Sequence, residues 1–389
     1  MADKKRVSSV IEQIPFSGIR KFFDIVNEME DVISLSVGEP DFQTPDNVRE
    51  AAIEAIKQGK TKYTANVGMI ELRQTVAEHV KKRHGLDYDP KKQIVMTIGG
   101  SEGVDVSLRA VINPGDEVLV IEPCYVSYRP GILMAGGVPV TIRTKPENDF
   151  RLQPEELLDK ITTKTKALLF NYPTNPTGAI MERGDLAKIA PILIKNDILV
   201  ITDEIYGDLT YGGRTHASIA EFPGMYQNTI LINGFSKAYS MTGWRLAYVC
   251  GPEDIMRAYS KIHQYVVMSA PTISQYAGIE ALKNCDESIE KMREEYDRRR
   301  IVMLSGLRSL GLDCFEPLGA FYMFPSIKKT GLKSDEFCEK LLFESKVAVV
   351  PGNAFGECGE GFIRCSYAYS IESIERALER MGDFLNKNK

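Results

Sequence analysis

Six short apolar runs recur through the middle of the chain: QIVMTI (93–98), EVLVIE (117–122), VPVTIR (138–143), ALLFN (167–171), ILVIT (198–202) and TILIN (229–233). Most are continuously apolar rather than alternating, which is the pattern of strands covered on both faces. Helical segments such as SEGVDVSLRAVI and RGDLAKIAPILIKN lie between them. Strand and helix in alternation predict an α/β fold, a mostly parallel sheet sandwiched by helices. In such sheets ligands bind beyond the carboxyl ends of the strands. The residues that follow each strand are therefore where a site is to be sought.

From about Ser288 the pattern changes. SIEKMREEYDRRRIVMLSGLRSLG reads as a long helix, and CFEPL, AFYMFP, VAVVP and FIRCSY as short strands. The closing segment SIESIERALERMGDFL places Ile371, Ile374, Ala377, Leu378, Met381 and Leu385 on one helical stripe. These features predict a large α/β domain over 46–287 and a smaller α+β domain over 288–389. Residues 1–45 are expected to form an N-terminal arm and part of the small domain. The run EEYDRRR is expected to be a solvated helix face.

Composition removes several function classes. A formal charge of −5 over 389 residues offers no basic footprint for nucleic acid. The seven cysteines include no CxxC pair, which suits reduced thiols better than a disulfide framework. MADKKRVSSV has charges but no apolar segment behind it, and no apolar run approaches the roughly 20 residues of a membrane span. A soluble, cytoplasmic protein is expected.

Each strand end carries something. After QIVMTI, GGSEG opens a helix, and its two glycines, Ser101 and the free N–H groups of the helix end could receive a phosphate; an ordinary strand-to-helix turn accounts for the same residues. GxGxxG is absent, and GKT at 59–61 has Glu54 where a P-loop needs glycine. After EVLVIE, Tyr125 could lie against a planar ring or simply pack. After ALLFN, Pro173 and Pro176 bracket Asn175 in a stiff turn that would hold its amide. After ILVIT, Asp203 ends a buried strand, so it either caps a helix or needs a cationic partner, and Tyr206 follows one turn later. After TILIN comes GFSKAYSMTGWRL, in which Lys237 with Ser236 and Arg245 suggests a phosphate beside an amine nucleophile. A phosphate cradle, a stacking ring, an amide, a buried carboxylate and a lysine together suit one cofactor: a pyridine with an aldehyde and a phosphate tail.

The sequence resembles the class I/II aminotransferases, pyridoxal-phosphate enzymes of fold type I, over essentially the whole chain. GFSKAYSMTGWRLA is similar to the family's lysine-attachment motif, and SLSVGEPDFQTP, KYTANVGMIELR, YPTNPTG, DEIYGDL and VPGNAFG are recognisable family segments. The chain looks most like the bacterial and archaeal branch with aspartate and broad aromatic aminotransferases. The resemblance implies pyridoxal 5'-phosphate in Schiff-base linkage to Lys237, which also shuttles the substrate α-proton. It implies that Asp203 pairs with the pyridine nitrogen, that Asn175 and Tyr206 bond the phenolic oxygen, and that Tyr125 stacks on the ring. Gly100, Ser101, Glu102, Ser236 and Arg245 would hold the phosphate, with Tyr63 reaching in from the other subunit of a homodimer. Arg364 would clamp the substrate α-carboxylate, helped by Gly38 and Asn175.

Two departures concern specificity. Relatives that prefer acidic substrates carry a lysine in the phosphate loop where Ser101 stands, which weakens an aspartate reading. Glu102 is unfavourable near a phosphate unless its side chain turns away along the helix. The expected reaction moves an amino group between an aromatic or broad range of L-amino acids, with aspartate still among the candidates, and a 2-oxo acid such as 2-oxoglutarate. Tyr125, Phe16, Phe22 and Phe23 could supply apolar surface to the pocket, and Trp244 is assigned to packing. A carbon–sulfur β-lyase of the same fold and an N-acyl-diaminopimelate-type aminotransferase are the alternatives.

Overall fold

The structure is a computed structural model that describes residues 6–16, 18 and 29–388. Seven strands form the main sheet: β1 (Ile94–Thr97), β2 (Glu117–Glu122), β3 (Val138–Arg143), β4 (Thr165–Phe170), β5 (Leu199–Asp203), β6 (Thr229–Gly234) and β7 (Ala247–Cys250). Their order is β1-β7-β6-β5-β4-β2-β3. β2 to β6 pair in parallel, and β7 runs antiparallel to both β6 and β1. The mostly parallel sheet expected from the apolar runs is present. β5 and β6 are buried along their whole length because helices cover both faces. β3 is the half-exposed edge, where Pro139 leaves no ladder donor missing on the solvent side.

β7 was not among the six runs read as strands, and its direction matters most for the site. It begins at the edge where β6 ends, so residues after β6 and residues before β7 meet there. The connecting loop is anchored by buried Phe235, Met241 and Leu246, and Phe235 N–H donates to the Leu246 carbonyl at 3.3 Å. Trp244 packs against this core, and its indole N–H donates to Thr44 Oγ1 at 2.9 Å. Thr44 in turn donates to the Ser240 carbonyl at 2.6 Å, so Trp244 braces the loop as well as filling space.

The later part of the chain builds smaller sheets. Ile363–Ser366 lies between Val350–Pro351 and Tyr322–Met323, antiparallel to both, and Ile33–Ser34 pairs in parallel with Val347–Ala348. CFEPL forms no strand; Asp313 beside it makes only an isolated bridge to Ser326. The closing helix Ile371–Lys387 is N-capped by Ser370, whose hydroxyl accepts from the Ser373 N–H at 3.2 Å. It buries Ile374, Ala377, Met381 and Phe384, while Ile371, Leu378 and Leu385 sit at the margin of the stripe.

The EEYDRRR expectation is corrected. Tyr296, Arg299 and Arg300 of helix Asp286–Ser309 are buried. Arg299 pairs with Asp41 at 2.8 Å and Glu295 at 3.0 Å and stacks on Phe42, its guanidinium 4.9 Å from the ring centre. Arg300 pairs with Asp297 and Glu316, each at 2.7 Å. Partners far along the chain supply what a charged run lacks when read locally, so burial costs less than a helix wheel suggests.

Removing Arg299 strands two partly exposed carboxylates and one ring face. Arg299→Ala is expected to lower unfolding free energy by about 3 kcal/mol in urea denaturation. Arg298→Ala, on the solvent side of the same turn, should stay within about 0.5 kcal/mol.

Candidate active site

A cavity of about 820 Å³ opens at the carboxyl edge of the main sheet. It is lined by Gly38, Gly100, Ser101, Tyr125, Asn175, Asp203, Tyr206, Ser236, Lys237, Arg245 and Arg364. Eleven of the thirteen residues singled out from the sequence therefore share one space; Glu102 and Tyr63 are the two outside its lining. Residues 99–101, Tyr125, Asn175 and Lys237 follow strand ends, Asp203 closes β5, and Arg245 precedes β7. Gly38 and Arg364 come from segments that meet at the smaller sheets.

Lys237 is partly buried, and its Nζ donates to the Gly38 carbonyl at 2.7 Å. Burial, together with the Arg364 and Arg245 charges, lowers its pKa to about 8 against the opposing pull of Glu39 and Asp203. On that value roughly a tenth of the amine is neutral at pH 7, on the order of 300 times the fraction of an ordinary lysine. A neutral amine is what nucleophilic attack and proton transfer require.

Asp203 ends β5 with its carboxylate buried. The Tyr128 hydroxyl donates to Oδ2 at 2.8 Å and the Ile205 N–H to Oδ1 at 3.2 Å. Burial nonetheless dominates these bonds and raises its pKa to about 6. Asn171 donates from Nδ2 to the Asp203 carbonyl at 2.7 Å and fixes the strand end. The Asp203 side chain thus bonds the next turn, as a cap would, while its ionised form still wants a cation.

Arg364 is 2% exposed yet has no carboxylate partner among the described residues. Its Nη1 donates to Asn175 Oδ1 at 2.9 Å and its Nη2 to the Ser36 carbonyl at 2.5 Å, while Nε has no acceptor. Tyr322 and Phe355 lie against the guanidinium, with ring centres 4.5 Å and 4.9 Å from Cζ. The result is a flat, oriented fork with a donor unmet, a receptor for a planar anion.

The other anion receptor lies where helix Gly100–Val111 begins. Gly99 has φ of +101°, and a Cβ there would come within 2.5 Å of the Arg245 Nη2, so only glycine lets the guanidinium approach. Arg245 faces the cavity with Nη1 donating to the Thr242 carbonyl at 2.7 Å, and buried Ser236 lines the same end. Glu102 turns away as the sequence required: Oε2 accepts from the Ile98 N–H at 2.7 Å and Oε1 meets His263 Nδ1. Helix N–H groups, a serine and a guanidinium with no carboxylate partner among the described residues fit a phosphate. An amine, a buried carboxylate and Tyr125 beside them fit the ring and aldehyde of pyridoxal phosphate.

Tyr63 is 81% exposed and lies off this cavity. Phe16 is fully exposed and contributes no apolar lining, which corrects that expectation; Phe22 and Phe23 lie outside the described residues. Sequence reading missed Tyr128, Asn171, Ser36, Tyr322 and Phe355. Tyr128 was within reach, one helical turn beyond Tyr125. Tyr322, whose hydroxyl bonds that of Tyr206 at 2.7 Å, carried no local signal.

Comparison with known proteins gives a consistent result. The family model described as aminotransferase class I and II matches residues 30–381. The aspartate aminotransferase of Pyrococcus abyssi is 45% identical over 98% of this chain and 99% of its own. Aromatic-amino-acid aminotransferase 2 of Thermococcus litoralis is 43% identical with the same coverages of 98% and 99%. The solved aromatic aminotransferase of Pyrococcus horikoshii OT3 superposes with a TM-score of 0.91 at 44% identity, covering 94% of this chain and 99% of that one.

The raised pKa of Asp203 makes a stability forecast for the cofactor-free protein. Folding a carboxyl whose pKa rises from 3.8 to about 6 costs nothing below about pH 4 and its full amount above about pH 6. Asp203→Asn can keep the Ile205 N–H bond with its amide oxygen and donate its amide N–H to the Tyr128 hydroxyl, and it removes that cost. The variant is expected to be more stable than wild type at pH 8 by up to about 3 kcal/mol in urea, with the gain vanishing at pH 4. An equal gain at both pH values would contradict the assignment of burial as the cause.

Proposed function

Because the chain belongs to the class I and II aminotransferases, which are pyridoxal-phosphate enzymes, we propose that it moves amino groups between an uncharged, aromatic or broad range of L-amino acids and a 2-oxo acid such as 2-oxoglutarate. The observation that carries this reading is Arg364, a buried guanidinium with no carboxylate partner among the described residues, facing the cavity that also holds Lys237. Amino-acid and 2-oxo-acid substrates share an α-carboxylate, and one clamp serves both halves of the exchange.

Bound pyridoxal phosphate supplies an aldehyde that holds the substrate amine and a ring that withdraws electrons from the α-carbon. Asp203 would hold a proton on the ring nitrogen, an interaction that would return the carboxylate to its charged form. Asn175, through its amide N–H, and Tyr206 would bond the phenolic oxygen, and Tyr125 would cover the ring. Gly100, Ser101, Glu102 through its backbone, Ser236 and Arg245 would take the phosphate. Lys237 Nζ moves the proton at the substrate α-carbon, and its lowered pKa suits that task near neutral pH.

The side-chain preference is supported by the cavity lining. Its cations are Lys237, Arg245 and Arg364, each with a role already, whereas Val37, Tyr125, Val126, Ile205 and Tyr322 offer apolar surface. Relatives named for aspartate and for aromatic amino acids leave both classes open by descent alone.

The active unit is proposed to be a homodimer in which Tyr63 reaches the partner's phosphate. Support comes from the exposed Tyr63, Tyr265, Val266 and Met268, whose segments are joined by Asn66 Nδ2 donating to the Met268 carbonyl at 2.9 Å. Sedimentation velocity should give twice the chain mass, and a monomer with full activity would remove this part of the reading.

A donor panel against 2-oxoglutarate tests the substrate class: phenylalanine, tyrosine or leucine should exceed aspartate in kcat/KM. Arg364→Ala should lower kcat/KM by about 100-fold for every donor, since the α-carboxylate is common to all. A loss confined to one donor would contradict the clamp.

A further inference from the structure

Glu102 is a carboxylate beside a proposed phosphate site, and what neutralises it comes from another helix. It is the third residue of helix Gly100–Val111 and is buried there. On the opposite side stands His263, 0% exposed, on helix Glu253–Val266. Its Nε2 lies 2.7 Å from the Asn66 carbonyl, which can only accept, so Nε2 carries hydrogen. Its Nδ1 faces Glu102 Oε1, so a second proton lies between ring and carboxylate. The pair is electrically neutral wherever that proton rests. Burial opposes the charged imidazole, but the Glu102 bond outweighs it and raises the His263 pKa above its usual value. Tyr259 of the same helix is the other ionisable group coupled to Glu102, and it also feels Asp105, which leans toward Arg109 at 3.6 Å.

We propose that His263 is a positioning residue for the cofactor phosphate, acting through Glu102. The Glu102 side chain receives the Ile98 N–H and so holds the turn that aims Gly100 and Ser101. Unneutralised, it would set a negative charge behind the helix end that must attract the phosphate, and would compete for the same positive end of the dipole. His263 lets the turn keep its carboxylate without that repulsion. The same imidazole, through Asn66, also fixes the loop that carries Tyr63. This inference rests on the pyridoxal-phosphate reading above.

The test measures dissociation constants for pyridoxal phosphate and for pyridoxal, which lacks the phosphate, by absorbance in wild type, His263→Gln, Glu102→Gln and the double variant. Wild type failing to bind pyridoxal phosphate would count against the proposed function itself. Given binding, His263→Gln should weaken pyridoxal phosphate about tenfold at pH 8 and change pyridoxal less than twofold. The double variant removes both charges and should recover to within about threefold of wild type. Glu102→Gln removes the charge, while its amide can still accept from the Ile98 N–H and donate to a neutral imidazole, so any loss of pyridoxal phosphate affinity should stay well below tenfold, which keeps the test decisive even if His263→Gln is poorly folded. Unchanged affinity in His263→Gln at pH 8, parallel losses for both ligands, no recovery in the double variant, or a tenfold loss in Glu102→Gln would each overturn the proposal.

Discussion

Asp203 and Arg364 are charges held out of water with no ion-pair partner of opposite sign among the described residues, and much of the architecture serves to make that tolerable. Asp203 receives one phenol and one backbone N–H; Arg364 gives to one amide and one carbonyl and is flanked by two rings. Neutral dipoles of this kind orient a charge but do not cancel it. The folded chain therefore carries an electrostatic deficit that ligands of the right sign relieve, and anything binding only the folded state stabilises it in proportion. The same deficit explains why these side chains are so firmly aimed: each neutral contact that softens the cost also fixes a direction.

The two charges belong to different parts of the fold, so their alignment depends on how those parts are joined. The segment from Ser36 to Asp41 does most of the joining. Its Ser36 carbonyl accepts from Arg364, its Gly38 carbonyl accepts from Lys237, and its Asp41 pairs with Arg299 of the long helix. Gly38 is glycine because a Cβ would collide with the Tyr322 hydroxyl. One short segment thereby registers the lysine of the main sheet against the arginine of the smaller one. The link to Lys237 exists only while that amine is free to donate, which makes the segment sensitive to what the lysine holds.

Much of this was legible because parallel sheets write their sites in sequence order. The strand ends that supplied Gly100, Tyr125, Asn175, Asp203 and Lys237 could be located from apolar runs alone, since each run ends where the next functional residue begins. The reversed strand β7 was not legible in that way, yet it explains why Arg245 lies beside the edge where Lys237 emerges. What escaped altogether came from long-range packing. Tyr322 and Phe355 acquire meaning only when the smaller sheet docks, and Arg299 and Arg300 looked like solvent residues because Asp41 and Glu316 are remote or unremarkable in sequence. Likewise Glu102 was recognised as awkward near a phosphate, but its partner His263 lies on a helix 161 residues further on.

Substrate choice follows from the same counting of charges. A substrate with a second carboxylate needs a third anion receptor in the cavity besides those for the phosphate and the α-carboxylate. Among the described residues lining it, the cations are Arg245 and Arg364, the proposed receptors for those two anions, and Lys237, the proposed amine. Ser101 offers a hydroxyl where a cation would be needed, and Asp105 adds a negative charge to the same wall. Desolvating a distal carboxylate against such a lining costs more than a hydroxyl returns, whereas an aromatic or aliphatic side chain loses nothing there and gains contact with Tyr125, Ile205 and Tyr322. The proposed preference for uncharged side chains thus rests on what the distal wall lacks as much as on what it presents.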